Sequence, residues 1–253
     1  GEGGLGGAEQ ARPDSGTADA LRETRIPVRG VRKATAAAMV RSAFTAPHVT
    51  EWLTVDVSRT MDLVREVKAD RTWDGVRVTP LVIVARALVL AVREFPGINA
   101  TWDDAAGEIV QKHYVNLGIA AATPRGLLVP NIKDAQDLGM RSLAHAIAGL
   151  VDAARAGTTQ PADLTGGTIT ITNIGALGVD AGTPILNPGE AAILAFGAVR
   201  QRPWVVDGEV CAREITQLAM SFDHRLVDGE LGSNVLVRVG EILSDPGRTL
   251  LHA

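Results

Sequence analysis

The stretch "TPLVIVARALVLAVREFP", residues 79 to 96, is apolar on nearly every side and carries a Pro in its first turn. Proline suits a helix start, because the N–H it lacks is one that a helix leaves unpaired there anyway. A helix without a polar face has to be buried all round. The remaining chain must therefore supply layers that cover it. At 253 residues and 46% apolar, it can do so as one large domain or two small ones.

The flanking periodicities say what those layers are. "RKATAAAMVRSAF", "RTMDLVREVKAD" and "GMRSLAHAIAGLVDAARAG" have helical composition and spacing, the last with a Gly at its C-terminal end. "HVTEWLTVDVS" alternates and is β-branched, so a strand is expected. "NATWDDAAGEIVQ" carries a hairpin signal around Asp103 to Gly107. "YVNLGIAAAT", "GLLVPNI", "GTITITNIG", "EAAILAFGAV" and "CAREITQLAMSF" read as further strands, and "DGELGSNVLVRVGEILSD" as a closing helix. No internal repeat is present. Strands interleaved with helices, some joined by hairpins, imply an α/β fold with a mixed β-sheet and helices packed on it.

Several function classes are excluded or weakened. A formal net charge of -4, with scattered basic residues, gives no reason to expect nucleic-acid binding. No apolar run approaches the roughly 18 residues of a membrane span, and "GEGGLGGAEQ" is not built like a signal peptide. The single Cys211 cannot form an internal disulfide, so a reducing compartment, the cytoplasm, is expected. His48, His113, His145 and His252 are isolated and read as surface or capped histidines, and no spacing supports a metal site. "TNIGALG" lacks both phosphate-loop patterns, and GxSxG is absent. Residues 1–24, rich in Gly, Ala, Asp and Glu with two Leu, read as a flexible linker or as a frayed terminus.

One cluster stands out. "SFDHRLVDG", residues 221 to 229, places Asp223, His224, Arg225, Asp228 and Gly229 at the end of an apolar strand. A strand end presents side chains over a cleft, and His titrates nearest neutrality, which suits proton transfer. Arg225 and its flanking carboxylates would then fix the turn. The alternative is a polar turn with Asp228 as the N-cap of the closing helix.

This stretch resembles the HxxxDG signature of the dihydrolipoamide acyltransferases, the core components of 2-oxo acid dehydrogenase complexes, and is more distantly similar to chloramphenicol acetyltransferase. "GVRKATAAAM", "APHVTEWLTVDV", "TPRGLLVPNIKDA", "DLTGGTITITNIGALG" and "PILNPGEAAILAFGAV" resemble the same family in the same order, over about residues 26 to 253. The resemblance implies a chloramphenicol acetyltransferase-like fold, a catalytic domain over residues 25–253, a homotrimer, and active sites between subunits. It implies His224 as catalytic base, Thr172 as hydroxyl donor to the oxyanion and Asp228 as the residue that holds the turn. Arg65, Thr79, Thr172 and Asn173 match positions on the coenzyme A side of the channel, and Arg32 falls where distant relatives pair an Arg with the Asp228 position.

The chemistry these roles serve is acyl transfer between coenzyme A and dihydrolipoamide. A thiol of pKa about 8.5 is mostly protonated at pH 7, so a positioned base helps make the thiolate. A hydroxyl aimed at the developing oxyanion stabilises it by roughly 3 kcal/mol. Lys33, Lys68, Lys112 and Lys133 all lie inside catalytic blocks, so the lipoamide is expected on a lipoyl domain outside this sequence. The implied partners are the dehydrogenase and dihydrolipoamide dehydrogenase components. Leu250 and Leu251 are similar to an apolar tail in the family, and the resemblance implies that it joins trimers into a particle of about 24 subunits or a larger shell; the alternative is a helix end folded back on its own subunit. The "GVDAGTPILNPGEAAIL" stretch resembles branched-chain or acetyl-type members; branched-chain acyl groups are favoured, with the acetyltransferase core of a pyruvate dehydrogenase complex or a catalytically silent core subunit as alternatives.

Overall fold

The computed structural model describes residues 22–123 and 126–249. Most of residues 1–24, expected as a linker, Pro124 and Arg125 of "TPRGLLVP", and Leu250, Leu251 and His252 lie outside the described residues.

The all-round apolar segment forms α3 (Pro80–Glu94), preceded by α1 (Gly30–Thr45), β1 (His48–Asp56) and α2 (Ser58–Ala69). Buried positions of α3 include Val82, Ile83, Val84, Ala85, Leu88, Val89 and Val92, and only Arg93 and Glu94 at its C-terminal end are exposed. It is covered by α4 (Met140–Ala156) on one side and α5 (Gly229–Ser244) on another, with α2 alongside. These helices cap one face of an eight-stranded sheet.

That sheet is built from β1, β4 (Leu117–Thr123), β5 (Gly126–Leu128), β6 (Asn131–Ile132), β7 (Ile169–Asn173), β8 (Ala192–Phe196), β9 (Arg200–Val206) and β10 (Glu209–Asp223). The main path runs β1-β10-β8-β7-β4-β5. β4, β7 and β8 are parallel, and β10 is antiparallel to β8, β1 and β9, so the sheet is mixed as expected. The parallel β8, "AILAF", is buried at every position, as a strand covered on both faces must be. β2 (Ala100–Asp103) and β3 (Glu108–Gln111) form the separate expected hairpin.

Two expectations needed revision. "GLLVPNI" is two short strands, β5 and β6, because Pro130 has no N–H to donate to a ladder. β9 was not expected at all. It carries Pro203, tolerated on an edge strand, and turns into β10 through Asp207 and Gly208, both at positive φ (53° and 87°) as a two-residue hairpin loop requires.

Residue alternation on β7 decides which chemistry faces which side. Ile169 and Ile171 point into the helix-covered core, whereas Thr170 and Thr172 point to the opposite face. On that second face the segment 181–189 packs, with Leu186, Ala46 and Ile193 forming a small apolar cluster. The crossing is tight nearby. A Cβ at Gly197 would lie 1.9 Å from the Asp180 carbonyl oxygen, so only glycine lets β8 end there.

Candidate active site

His224 follows β10 directly, is exposed, and donates its backbone N–H to the Pro47 carbonyl at 2.9 Å. Its ring tilts against Phe222 at a centroid distance of 6.0 Å. The charges around it hold the turn. Asp223 is 3% exposed and accepts from the Arg225 backbone N–H (3.0 Å), Nε (3.0 Å) and Nη2 (2.7 Å). The same residue's carbonyl accepts from Leu226 and Val227, and the Arg225 guanidinium lies 4.9 Å over the Trp102 ring. Asp228 accepts from the Leu231 N–H at 2.8 Å and so caps α5. The capping alternative therefore describes Asp228 in the single chain. Within the single chain Arg32 forms no ion pair with it among the described residues: Arg32 stands exposed on α1 while Asp228 caps the helix.

Thr172 lines a cavity of about 460 Å³ together with Ala120, Leu127, Met39, Ile193 and Ala195. One wall is the segment Gly182–Ile185 with Asn187 and Pro188. Among the described residues no hydrogen bond engages the Thr172 hydroxyl, so it is available to a ligand in a mainly apolar hollow. The next residue, Asn173, faces the other way. It shares a second cavity of about 360 Å³ with Thr79, Arg77, Arg155 and Phe196, and its Oδ1 accepts from the Ala176 N–H at 3.2 Å. Thr79 is the residue just before α3. The structure thus brings Thr79 and Asn173 together and sets Thr172 on the opposite face of the sheet.

Arg65 is in neither cavity. Its guanidinium binds Glu214 (3.2 and 3.0 Å) and Asp62 (2.6 Å), which raise its pKa above the ordinary arginine value. Arg77 and Arg155 were not singled out in the sequence, because isolated arginines carry no pattern. Arg77 reaches Asp152 at 3.2 Å.

A buried carboxyl behind the Thr172 cavity was also missed. Glu190 accepts from Thr170 Oγ1 (3.0 Å) and from Asn187 Nδ2 (3.4 Å), and burial pushes its pKa up to about 7 against the opposing effect of those hydrogen bonds. The folded chain holds this proton more tightly than the unfolded chain does. This group therefore makes stability fall as pH rises from the ordinary carboxylate value towards about 7.

Register places Thr172 opposite Ala195, and Ala195 opposite Ala219. His224 lies five residues further along β10 and two strands across. At ordinary strand spacing the two residues are roughly 19 Å apart in one chain. They cannot meet at one carbonyl within a subunit.

The architecture is that of the chloramphenicol acetyltransferase-like class: a chloramphenicol acetyltransferase structure superposes with a TM-score of 0.52 at 14% identity, covering 86% of this chain and 98% of that one. The family model for the 2-oxoacid dehydrogenases acyltransferase (catalytic domain) matches residues 20–251, and the chain belongs to that family. It is 42% identical over 231 residues to the dihydrolipoyllysine-residue acetyltransferase component of the pyruvate dehydrogenase complex of Bacillus subtilis, covering 91% of this chain and 52% of that protein. The corresponding Staphylococcus aureus protein is 40% identical, with 91% and 54% covered. The chain thus spans about half the length of the curated relatives it matches. A probable dihydrolipoamide acetyltransferase from Listeria monocytogenes superposes with a TM-score of 0.83 at 31% identity, covering 88% of this chain and 95% of that one. The dihydrolipoamide acetyltransferase of Azotobacter vinelandii gives a TM-score of 0.86 at 29% identity, covering 96% and 100%. That structure accompanies a study of a serine, a histidine and an asparagine in the enzyme's catalytic mechanism.

Proposed function

We propose that residues 25–253 are the catalytic domain, joined through the 1–24 linker to upstream domains, and that it transfers an acetyl group between coenzyme A and dihydrolipoamide of a 2-oxo acid dehydrogenase complex. One observation carries the residue assignment. The Azotobacter serine precedes its histidine by the same number of residues as Thr172 precedes His224, and the asparagine follows by the same number as Asp228. His224 takes the proton of the attacking thiol. The thiolate adds to the thioester carbonyl, the Thr172 hydroxyl donates to the resulting oxyanion, and collapse expels the other thiolate, which recovers the proton from His224. Asp228 holds the start of α5 and thereby the turn. Arg77 and Arg155, beside Thr79 and Asn173, supply positive charge suited to the phosphates of coenzyme A.

The separation of His224 from Thr172 supports sites shared between subunits of a trimer. So does α1, which leaves Val31, Val40 and Phe44 exposed, the last at 86%. An apolar cavity of about 290 Å³ lined by Leu63, Val67, Trp73, Leu90, Met140 and Ile242 is a fitting receptacle for a tail such as Leu250–Leu251 from a neighbouring trimer. The structure of a pyruvate dehydrogenase cubic core superposes with a TM-score of 0.86. Sedimentation is expected to report a 24-subunit particle for the domain. Removing residues 249–253 should leave active trimers, and a full-sized particle after that deletion would show the tail to be no joint.

On acyl choice the sequence favoured branched-chain groups, but the Bacillus and Staphylococcus relatives are acetyltransferase components, and the acetyl reading follows them. With dihydrolipoamide as acceptor, acetyl-coenzyme A should exceed isobutyryl-coenzyme A in kcat/KM by about tenfold or more, since misfit methyl groups cost 10- to 200-fold in shaped pockets. The reverse order would restore the branched-chain assignment.

A further inference from the structure

The residues joining α1 to β1 touch both halves of the machinery. The Pro47 carbonyl holds the His224 backbone N–H at 2.9 Å. The next residue, His48, is half-buried and engages both ring nitrogens: Nδ1 lies 2.7 Å from the Ala46 carbonyl and Nε2 lies 3.1 Å from the Leu186 backbone N. A carbonyl only accepts and an amide N–H only donates, so Nδ1 carries the proton and Nε2 is the acceptor. The two bonds together match the Nδ1–H tautomer. It is a different situation from the surface or merely capped histidine expected at this position.

Leu186 is the centre of the segment that walls the Thr172 cavity. Its carbonyl accepts from Ser42 Oγ of α1 at 2.6 Å, and its side chain is 1% exposed against Ala46 and Ile193. One residue on, Asn187 Nδ2 donates to Thr170 Oγ1 at 2.9 Å, and Thr170 donates to Glu190. Leu186 and Asn187 therefore tie the wall both to the α1–β1 junction, whose Pro47 carbonyl holds the His224 backbone, and to Thr170 of the strand that bears Thr172. No element of regular structure covers residues 179–191, so these links help set its position, along with the bonds at its ends from Ala198 to Val179 and from Asp223 to Ala191.

We infer that His48 is a positioning residue, which fixes the 182–188 wall of the Thr172 cavity by accepting the Leu186 N–H. The inference rests on the acyl-transfer reading of that cavity. His48 touches no reacting group; it acts through Leu186. A wall that contacts the thioester equally in the ground and transition states affects binding more than turnover.

Two substitutions separate this link from a structural one. Asn in place of His48 can still donate to the Ala46 carbonyl, in the position of Nδ1, but cannot reach Leu186. Gln can place its amide oxygen near the position of Nε2. His48→Asn should raise KM for acetyl-coenzyme A about tenfold with kcat changed less than threefold, whereas His48→Gln should stay within about threefold of the parent in both constants. Melting temperature and particle size, read in parallel, show whether either variant is misfolded. If Asn and Gln raise KM alike, or if Asn lowers only the melting temperature and leaves KM unchanged, the link to Leu186 is not what His48 contributes. Failure of the parent protein to acylate dihydrolipoamide would instead remove the functional reading on which the inference stands.

Discussion

Substituting His224 by Ala is expected to lower acyl-transfer turnover by about three orders of magnitude while leaving the assembly intact. Loss of a positioned base leaves only the roughly 3% of a thiol of pKa 8.5 that is ionised at pH 7, about a 30-fold loss, and the rest follows from losing the proton that His224 returns to the departing sulfur. The fold has little reason to respond. His224 is exposed, its turn is held by Asp223 and Arg225, and the bond to Pro47 uses its backbone N–H, which Ala retains. A pH profile makes the test specific. Residual activity of the variant should climb nearly tenfold per unit of pH below the thiol pKa, because solvent then has to make the thiolate. Turnover near the parent value in a folded particle would rule His224 out as the base.

The parts of this protein that were legible in its sequence are those where local pattern and tertiary role agree. α3 shows its burial in a run of apolar side chains broken by Arg86 and ended by Arg93 and Glu94, and the parallel β8 shows it as an unbroken apolar run. The cluster at 221 to 229 is conspicuous because charge so seldom follows a buried strand, and the structure uses Asp223, Arg225 and Asp228 to brace it. β9 was illegible because an exposed edge strand has no burial pattern, and Pro203 argues against any strand. The local signal it carries is the Asp207-Gly208 pair, a hairpin cue. The site was legible as residues and not as geometry. Thr172 and Asn173 are neighbours in sequence, yet β alternation sends them to opposite faces, into two different cavities. Arg65 matched a family position, but nothing local reveals that Asp62 and Glu214 engage it. His48 lies within the "APHVTEWLTVDV" block, but nothing local reveals its bond, since its partner Leu186 is 138 residues away.

Thr172→Val is expected to lower kcat by roughly 10²- to 10³-fold with a smaller change in KM for acetyl-coenzyme A, because the lost hydroxyl acts mainly on the oxyanion. Val is nearly isosteric, and the Thr172 hydroxyl engages no partner among the described residues, so packing of β7 should survive. A loss confined to KM would make Thr172 a binding residue and remove it from the chemistry. The variant also tests the geometry when it is combined with His224→Ala. In one chain the two residues stand roughly 19 Å apart, so a working site needs His224 from one subunit and Thr172 from another. Each single variant is then nearly inactive as a homotrimer. In trimers formed from both variants mixed equally, however, some interfaces pair the intact His224 of a Thr172→Val chain with the intact Thr172 of a His224→Ala chain. Random mixing makes roughly a quarter of the interfaces intact, so about a quarter of parental activity should return. Chains that complete their sites alone would show no recovery at any ratio. That outcome would require β10 and β7 to approach in a way their shared sheet register forbids.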